Sequence, residues 1–352
     1  MKRRLFLQQA SRAAMTLPFL HLPHLADGVR MGIVVHSYAH RWNSKVESEK
    51  YPGFSNAIEL MEHCHKIGAG GIQVIIRNWS KDFAKKVRDR RERLGLYIEG
   101  SIGLPKTTAD VPAFEKEILA AKEAGAGITR TVCLSGRRYE TFQSLEAFQE
   151  FKKNSIASLK WAEPVVRKHK MKLAVENHKD WRAEEMVGIL KEIDSEWIGA
   201  NLDFGNNVAL MEDPMDVARA LAPYLFTTHV KDMGVDEYQD GFLLSEVPLG
   251  LGFLDLTRIF EICKQHKPDV RFNLEMITRD PLKIPCLKDD FWSTFSDATP
   301  LHLAGTLRTV RENIFKGSLP EVSGLSDEQK LEAEEKNIVA SLEYSKSRLG
   351  LD

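Results

Sequence analysis

Apolar residues in this chain gather in short continuous runs, each halted by polar residues, and the stretches between them carry a helical period. The runs cover residues 31–36, 71–76, 96–101, 128–134, 171–178, 198–203, 225–230 and 271–275. Unbroken runs predict strands buried on both faces, as in a parallel sheet, whereas a half-exposed strand alternates. Between them, residues 54–67 read as a helix that stops at Gly68 and Gly70, and Ser80 is placed to cap the basic helix that follows. A third helix runs over 112–124, with Pro112 near its start and Gly125 after its end, and a long one over 144–169. Further helices are predicted over 183–193, 214–221, 256–266 and 301–315.

Strand and helix thus alternate eight times between residues 31 and 315. With right-handed crossovers, that alternation gives an open doubly wound sheet or a closed eight-stranded barrel. No glycine-rich GxGxxG follows the first run, so the pattern favours a (β/α)8 TIM barrel. After it, GSLPEVSG breaks the chain, and residues 327–348 form a charged extra C-terminal helix packed outside the barrel. Two connections are long: residues 231–255, which contain VPLGLGFLD, and 276–300, which contain Phe291, Trp292 and Phe295. Such loops are expected to serve as lids or binding surfaces, or to carry a homo-oligomer contact.

The first residues are not written like the rest. Arg3 and Arg4 precede Leu5, Phe6 and Leu7, a weakly apolar segment and Ala26, the pattern of a twin-arginine export signal. The expected organisation is a signal peptide over 1–26, a catalytic barrel over 27–320 and a helical extension over 321–352, with a periplasmic location. After the signal no stretch approaches the ~20 apolar residues that span a bilayer, so no stable membrane insertion is expected. Apolar residues make up 43% of the 352, enough for a large core. Lysine and arginine (49) nearly cancel aspartate and glutamate (50), which leaves no electrostatic footprint for nucleic acid. Cys64, Cys133, Cys263 and Cys286 have no CxxC spacing and read as free buried thiols.

Four of the runs end on residues that hold metals. Met171 begins MKLAVENH, whose exit carries Glu176, Asn177 and His178; IGANLDFGN carries Asp203, YLFTTHVKD carries His229, and VRFNLEM carries Glu275. One such residue alone is more often a cap, a salt-bridge partner or a satisfied core histidine. Four at the ends of four successive parallel strands converge on one barrel mouth, and that joint placement points to a metal site. Two glutamates, an aspartate and a single imidazole suit a hard or borderline divalent ion: Mn²⁺ first, then Mg²⁺, Zn²⁺ or Co²⁺. An ion preferring six ligands keeps two positions for adjacent substrate oxygens, and it acidifies the C–H next to a carbonyl. Glu176 and Glu275, from strands that are not neighbours, are then the candidate acid and base for proton transfer through an enediolate.

The motifs VENH, LDFGN, THVKD, PLGxG and NLEM, in this order, resemble the xylose isomerase-like barrels of the sugar phosphate isomerase/epimerase group, which contains ketose 3-epimerases, hydroxypyruvate isomerase and inosose dehydratase. The resemblance runs from about Met31 to Phe315 and implies Glu176, Asp203, His229 and Glu275 as metal ligands, the two glutamates doubling as acid and base. It also implies substrate contacts from His178, Lys231, His36 and Arg77. Two places depart from it: Asn206 stands where the epimerases often have a histidine, so recognition of a sugar oxygen is expected to differ, and Leu251 stands in the middle of a turn that often reads GEG. The implied activity is isomerisation or epimerisation of a small sugar or keto-sugar. A lyase or dehydratase acting on keto-sugars or keto-glycosides begins with the same carbanion. An endonuclease IV-like phosphodiesterase would need further histidines, and a non-catalytic sugar-binding barrel would hold the ion without exchanging substrate hydrogen.

Overall fold

All eight apolar runs become staves of a closed parallel barrel. The computed structural model describes residues 30–296 and 299–351, so the export signal expected over 1–26 lies outside the described residues. In chain order the strands are β1 (Gly32–Val34), β2 (Gly71–Ile75), β3 (Tyr97–Ser101), β4 (Ile128–Thr131), β5 (Lys172–Glu176), β6 (Ile198–Asp203), β7 (Leu225–Val230), β8 (Asp232–Tyr238), β9 (Gly241–Val247), β10 (Phe272–Leu274) and β11 (Leu282–Ile284). The ring closes in the order β1, β10, β7, β6, β5, β4, β3, β2. The helices are α1 (Ala57–Lys66), α2 (Lys81–Leu94), α3 (Val111–Glu123), α4 (Arg138–Thr141), α5 (Leu145–His169), α6 (Ala183–Ile193), α7 (Pro214–Leu221), α8 (Leu256–His266), α9 (Pro300–Glu312) and α10 (Asp327–Leu349).

Local chemistry sets the helix ends where the sequence placed them. The Ser80 hydroxyl accepts the Phe83 amide at 3.1 Å to open α2, and Gly95 closes it in the left-handed region at φ 63°. Among the described residues no helix is long and apolar enough to cross a membrane. All four cysteines are free.

Register decides what meets at the mouth. His229 on β7 lies opposite Asp203 on β6 and Asn273 on β10, and the Glu275 amide, just past β10, donates to Val230 O at 2.8 Å. Glu176, which ends β5, lies opposite Asn201, so Glu176, Asp203, His229 and the Glu275 that follows β10 leave their strands at the same rim of the ring.

Both long connections carry structure of their own. The 231–255 segment folds as the β8–β9 hairpin, and β11 adds to it as a third antiparallel strand outside the barrel. A two-residue Gln239–Asp240 loop joins the hairpin, and Gly241 opens β9 at φ 153°, where a side chain would meet the backbone of Ile284 on β11. In the 276–300 segment, Phe291 is buried and stacks on Phe295 at 5.2 Å and on Tyr139 at 5.4 Å. Arg138 fixes this small core, donating to Thr294 Oγ1 at 2.9 Å and Thr294 O at 2.6 Å with its guanidinium over Phe148.

Helix α10 does lie outside the strand ring, and it buries Leu331, Ile338, Leu342 and Leu349 at helical spacing. It grips segments that leave the mouth. Glu334 accepts the His40 amide at 2.7 Å, Glu335 accepts Arg41 Nη1 at 2.6 Å and faces His63 Nε2 at 3.1 Å, and Asn337 donates to Thr278 Oγ1 at 2.9 Å. Arg41 is buried, so breaking its pair with Glu335 leaves a carboxylate short of its counter-ion. Arg41→Met is expected to destabilise the fold by on the order of 3 kcal/mol in urea unfolding; a midpoint equal to that of the wild type would show that α10 is not fastened through this pair.

Candidate metal centre

Glu176, Asp203, His229 and Glu275 each offer one ligand atom, and these atoms lie within 4.8 Å of one another in a buried place. His229 Nδ1 stands 3.3 Å from Glu176 Oε2, 3.4 Å from Glu275 Oε2 and 3.9 Å from Asp203 Oδ2. Three carboxylates at such range, shut away from water, demand positive charge between them.

The demand shows in the titration of each group. Burial pulls the His229 imidazole down, but Glu275 and Glu176 outweigh it and push it up to about 9. Burial opposes the charge on Glu176, yet the Arg130 guanidinium and His229 hold it well below the usual carboxylate range. Glu275 is likewise held well below that range, with Lys231 and His229 more than offsetting burial. Asp203 goes the other way: burial pushes it up to about 6 against the pull of Lys231.

The chain orients each ligand separately. Asp203 Oδ1 accepts the Gly205 and Asn206 amides at 3.0 and 2.9 Å, which turns Oδ2 toward the centre. Asn177, beside Glu176, is no ligand; its amide clasps the Asp203 backbone, donating to O at 2.9 Å and accepting from N at 2.7 Å. Arg130 Nε donates to Glu176 Oε2 at 2.5 Å, and Asn206 Nδ2 donates to Oε1 at 3.2 Å. Lys231 Nζ lies 2.8 Å from both Asp203 Oδ2 and Glu275 Oε2, and His36 Nδ1 lies 3.1 Å from Glu275 Oε1.

Beneath the ligands, a buried polar layer fixes the imidazole. Gln73 Nε2, Thr227 Oγ1 and Asn273 Nδ2 converge on Glu99 at 3.1, 2.9 and 3.2 Å, the arrangement a carboxylate accepts. Gln73 therefore turns its Oε1 to His229 Nε2, 2.7 Å away, and holds a proton on it, so that a cation displacing the other proton of the imidazolium would meet Nδ1. Within the protein, the buried His229 Nδ1 finds no hydrogen-bond partner, while Asp203 Oδ2 meets the Lys231 ammonium at 2.8 Å. A divalent ion would satisfy the imidazole nitrogen and offset the crowded acids together, so the residues present fit the metal.

Of the remaining residues singled out in the sequence, His178, Lys231 and Asn206 line a cavity of about 260 Å³ that also reaches Glu275, Lys179 and Arg279. His36 joins the group through Glu275. Arg77 does not: it lines a different cavity of about 290 Å³ with Ser101, Lys106 and Glu117, where the chain leaves β2 and β3 beside α3. Asp232 of the HVKD motif accepts the amides of Met233, Gly250, Gly252 and Leu254 at 2.9 to 3.2 Å and so holds the PLGLG turn. Leu251, in the middle of that turn, points outward and is 61% exposed. Sequence reading missed Gln73, Glu99, Arg130, Lys179, Glu246 and Arg279. The first three sit inside apolar runs or at their ends, and Glu246 arrives on the unforeseen hairpin.

A family model described as the xylose isomerase-like TIM barrel matches residues 56–290. The chain belongs to the xylose isomerase-like TIM barrel family. Within reach of this barrel is the 3-oxo-isoapionate decarboxylase of Pectobacterium atrosepticum, 22% identical over 275 residues that cover 76% of this chain and 94% of that one. Among solved structures, a D-psicose 3-epimerase crystallised in the presence of D-fructose superposes with a TM-score of 0.61 at 15% identity, covering 92% of this chain and 100% of that one. An IOLI protein with a bound zinc atom superposes with a TM-score of 0.53 at 13% identity, covering 90% of this chain and 99% of that one. At these identities the superpositions speak for the xylose isomerase-like fold.

If Gln73 sets the His229 tautomer, Gln73→Leu is expected to weaken Mn²⁺ binding by about 10- to 100-fold in competition with a chelating dye. Undiminished affinity in that variant would remove Gln73 from the site.

Proposed function

We propose that the chain is a divalent-metal-dependent sugar isomerase or epimerase that removes a proton next to a carbonyl and passes through an enediolate. The observation that carries this reading is the placement of Glu176 and Glu275 on opposite sides of His229, on strands separated in the ring by β6 and β7, with both carboxyls held ionised. Glu176, Asp203, His229 and Glu275 are the ligands in this proposal, and Mn²⁺ is the ion. When bound, the ion polarises the substrate carbonyl and acidifies the neighbouring C–H.

The chain's own residues then divide the work. Glu275 is the first base; its contact to His36, whose side chain is 36% exposed, gives the captured proton a way toward solvent. Glu176, closed off by Arg130 and Asn206, serves the other face of the sugar: it must take up a proton as the substrate binds, and delivering that proton leaves it ionised while Glu275 passes the one it removed toward His36. His178 offers an acceptor to a substrate hydroxyl: its Nδ1–H is committed to Leu134 O at 3.0 Å, and burial keeps the ring neutral by lowering it to about 4. The twin-arginine reading of residues 1–26 makes a free or oxidised periplasmic sugar the fitting substrate rather than a sugar phosphate.

A lyase is the second reading, favoured by the similarity to a decarboxylase. Breaking a carbon–carbon bond to carbon dioxide, or expelling a group β to the carbonyl, uses the same electron sink and calls for the same ligands.

Incubating metal-loaded protein with ketoses and 3-keto-sugars in D₂O tests the proposal. Deuterium is expected at the carbon next to the carbonyl of at least one sugar, and Glu275→Gln should slow its entry by about 10² to 10⁴-fold. A Glu275→Gln protein that exchanges as fast as the wild type would refute the assigned base, and a wild type that exchanges with no sugar would refute the reaction.

A further inference from the structure

Four basic side chains line the cavity over the ligand set: Arg137, Lys179, Lys231 and Arg279. Three have carboxylates of their own. Arg137 Nη1 pairs with Glu140 at 2.6 Å, Lys231 with Asp203 and Glu275 at 2.8 Å, and Arg279 with both oxygens of Glu246, its Nε at 3.0 Å. Lys179 is the exception. It is only 4% exposed, its ammonium donates to the amide oxygen of Asn206, and among the described residues no carboxylate lies within ion-pair distance of it.

An ammonium removed from water without a counter-ion is costly, and a protein keeps one where a ligand brings the missing charge. The cost is compounded here because Lys231 Nζ, a second cation, approaches the same Asn206 Oδ1 at 3.4 Å. The backbone of Lys179 is itself held in the left-handed region at φ 65°, and its carbonyl accepts the Arg138 amide at 3.0 Å, so the residue cannot simply swing into solvent.

We propose that Lys179 receives a carboxylate of the substrate, so that the sugar taken by this site is a keto acid rather than a neutral ketose. Asn206 sets the geometry. Its Nδ2 is bonded to Glu176 and its Oδ1 to Lys179, so the ammonium stands one amide beyond the ligands, and the acid group lies at the end of the sugar away from the carbonyl that meets the ion. A single ammonium matches a singly charged carboxylate, whereas a phosphate ester draws several donors. The cavity of about 260 Å³ holds one monosaccharide unit. This inference rests on reading the mouth as a sugar-binding metal centre, and it can fail separately from the reaction proposed for it.

Isothermal titration of the Mn²⁺-loaded full chain decides it, using pairs that differ only in a carboxylate remote from the ketone: 5-keto-D-gluconate with L-sorbose, D-fructuronate with D-fructose, and D-tagaturonate with D-tagatose. In at least one pair the acid is expected to bind tenfold or more tightly than its ketose. Lys179→Met, or Lys179→Gln if the methionine variant does not fold and load Mn²⁺, should bring that ratio to within about threefold of one. The proposal is overturned if no acid exceeds its ketose in the wild type, or if the preference survives loss of the ammonium. D-Fructose 6-phosphate binding more tightly than D-fructuronate overturns the assignment to a carboxylate. A preference that depends on Lys179 in a protein that exchanges no C–H in D₂O would sink the reaction and leave this site standing; exchange without the preference would do the reverse.

Discussion

Crowding of like charge out of reach of water is the constraint on which this structure turns. Three carboxylates ring one imidazole nitrogen at 3.3 to 3.9 Å, and such a group holds together only if positive charge is supplied from within. Arg130 and Lys231 supply part of it from β4 and from the residue after β7, and the unpartnered His229 Nδ1 marks where the rest belongs. The barrel is well suited to this, since parallel strands deliver their last residues to one rim and their register fixes the level at which each arrives.

Support for the rim comes from three directions. From below, the Glu99–Gln73 pair holds a proton on His229 Nε2 in the barrel interior and leaves Nδ1 as the nitrogen that faces the mouth. From one side, the β8–β9–β11 sheet brings Glu246 to Arg279 and within 3.9 Å of Lys231. From outside the ring, α10 holds His40, Arg41 and Thr278, which flank His36 and Glu275 in the chain. The C-terminal helix therefore reaches the chemistry through the two segments that carry a ligand and its imidazole neighbour.

The barrel and the gathering of four residues at its mouth were legible because both are written locally. A continuous apolar run ending on Glu176, Asp203, His229 or Glu275 states the strand, its burial and the polar group at its exit within a few residues. Gln73, Glu99 and Arg130 were not legible, because a polar residue inside a buried run looks like an interruption until the ring closes and shows what it faces. The hairpin was missed because the Asp240-Gly241 pair lies one residue past the turn it would mark, and the segment read as a long loop. Arg77 illustrates the opposite error: its place at a strand exit is like that of His36, but its side chain opens into the neighbouring cavity beside α3. Lys179 carried no signal at all, being one basic residue in a polar turn, and only the absence of a carboxylate around it sets it apart.

A direct measure of whether these four side chains meet around one cation is the nitrogen coupling to bound Mn²⁺ in pulsed electron paramagnetic resonance of the metal-titrated protein. One ion per chain is expected, coupled to a single imidazole nitrogen, with the coupling lost in His229→Gln. Absence of stoichiometric binding, or a bound ion with no nitrogen coupling, would contradict the metal centre described here.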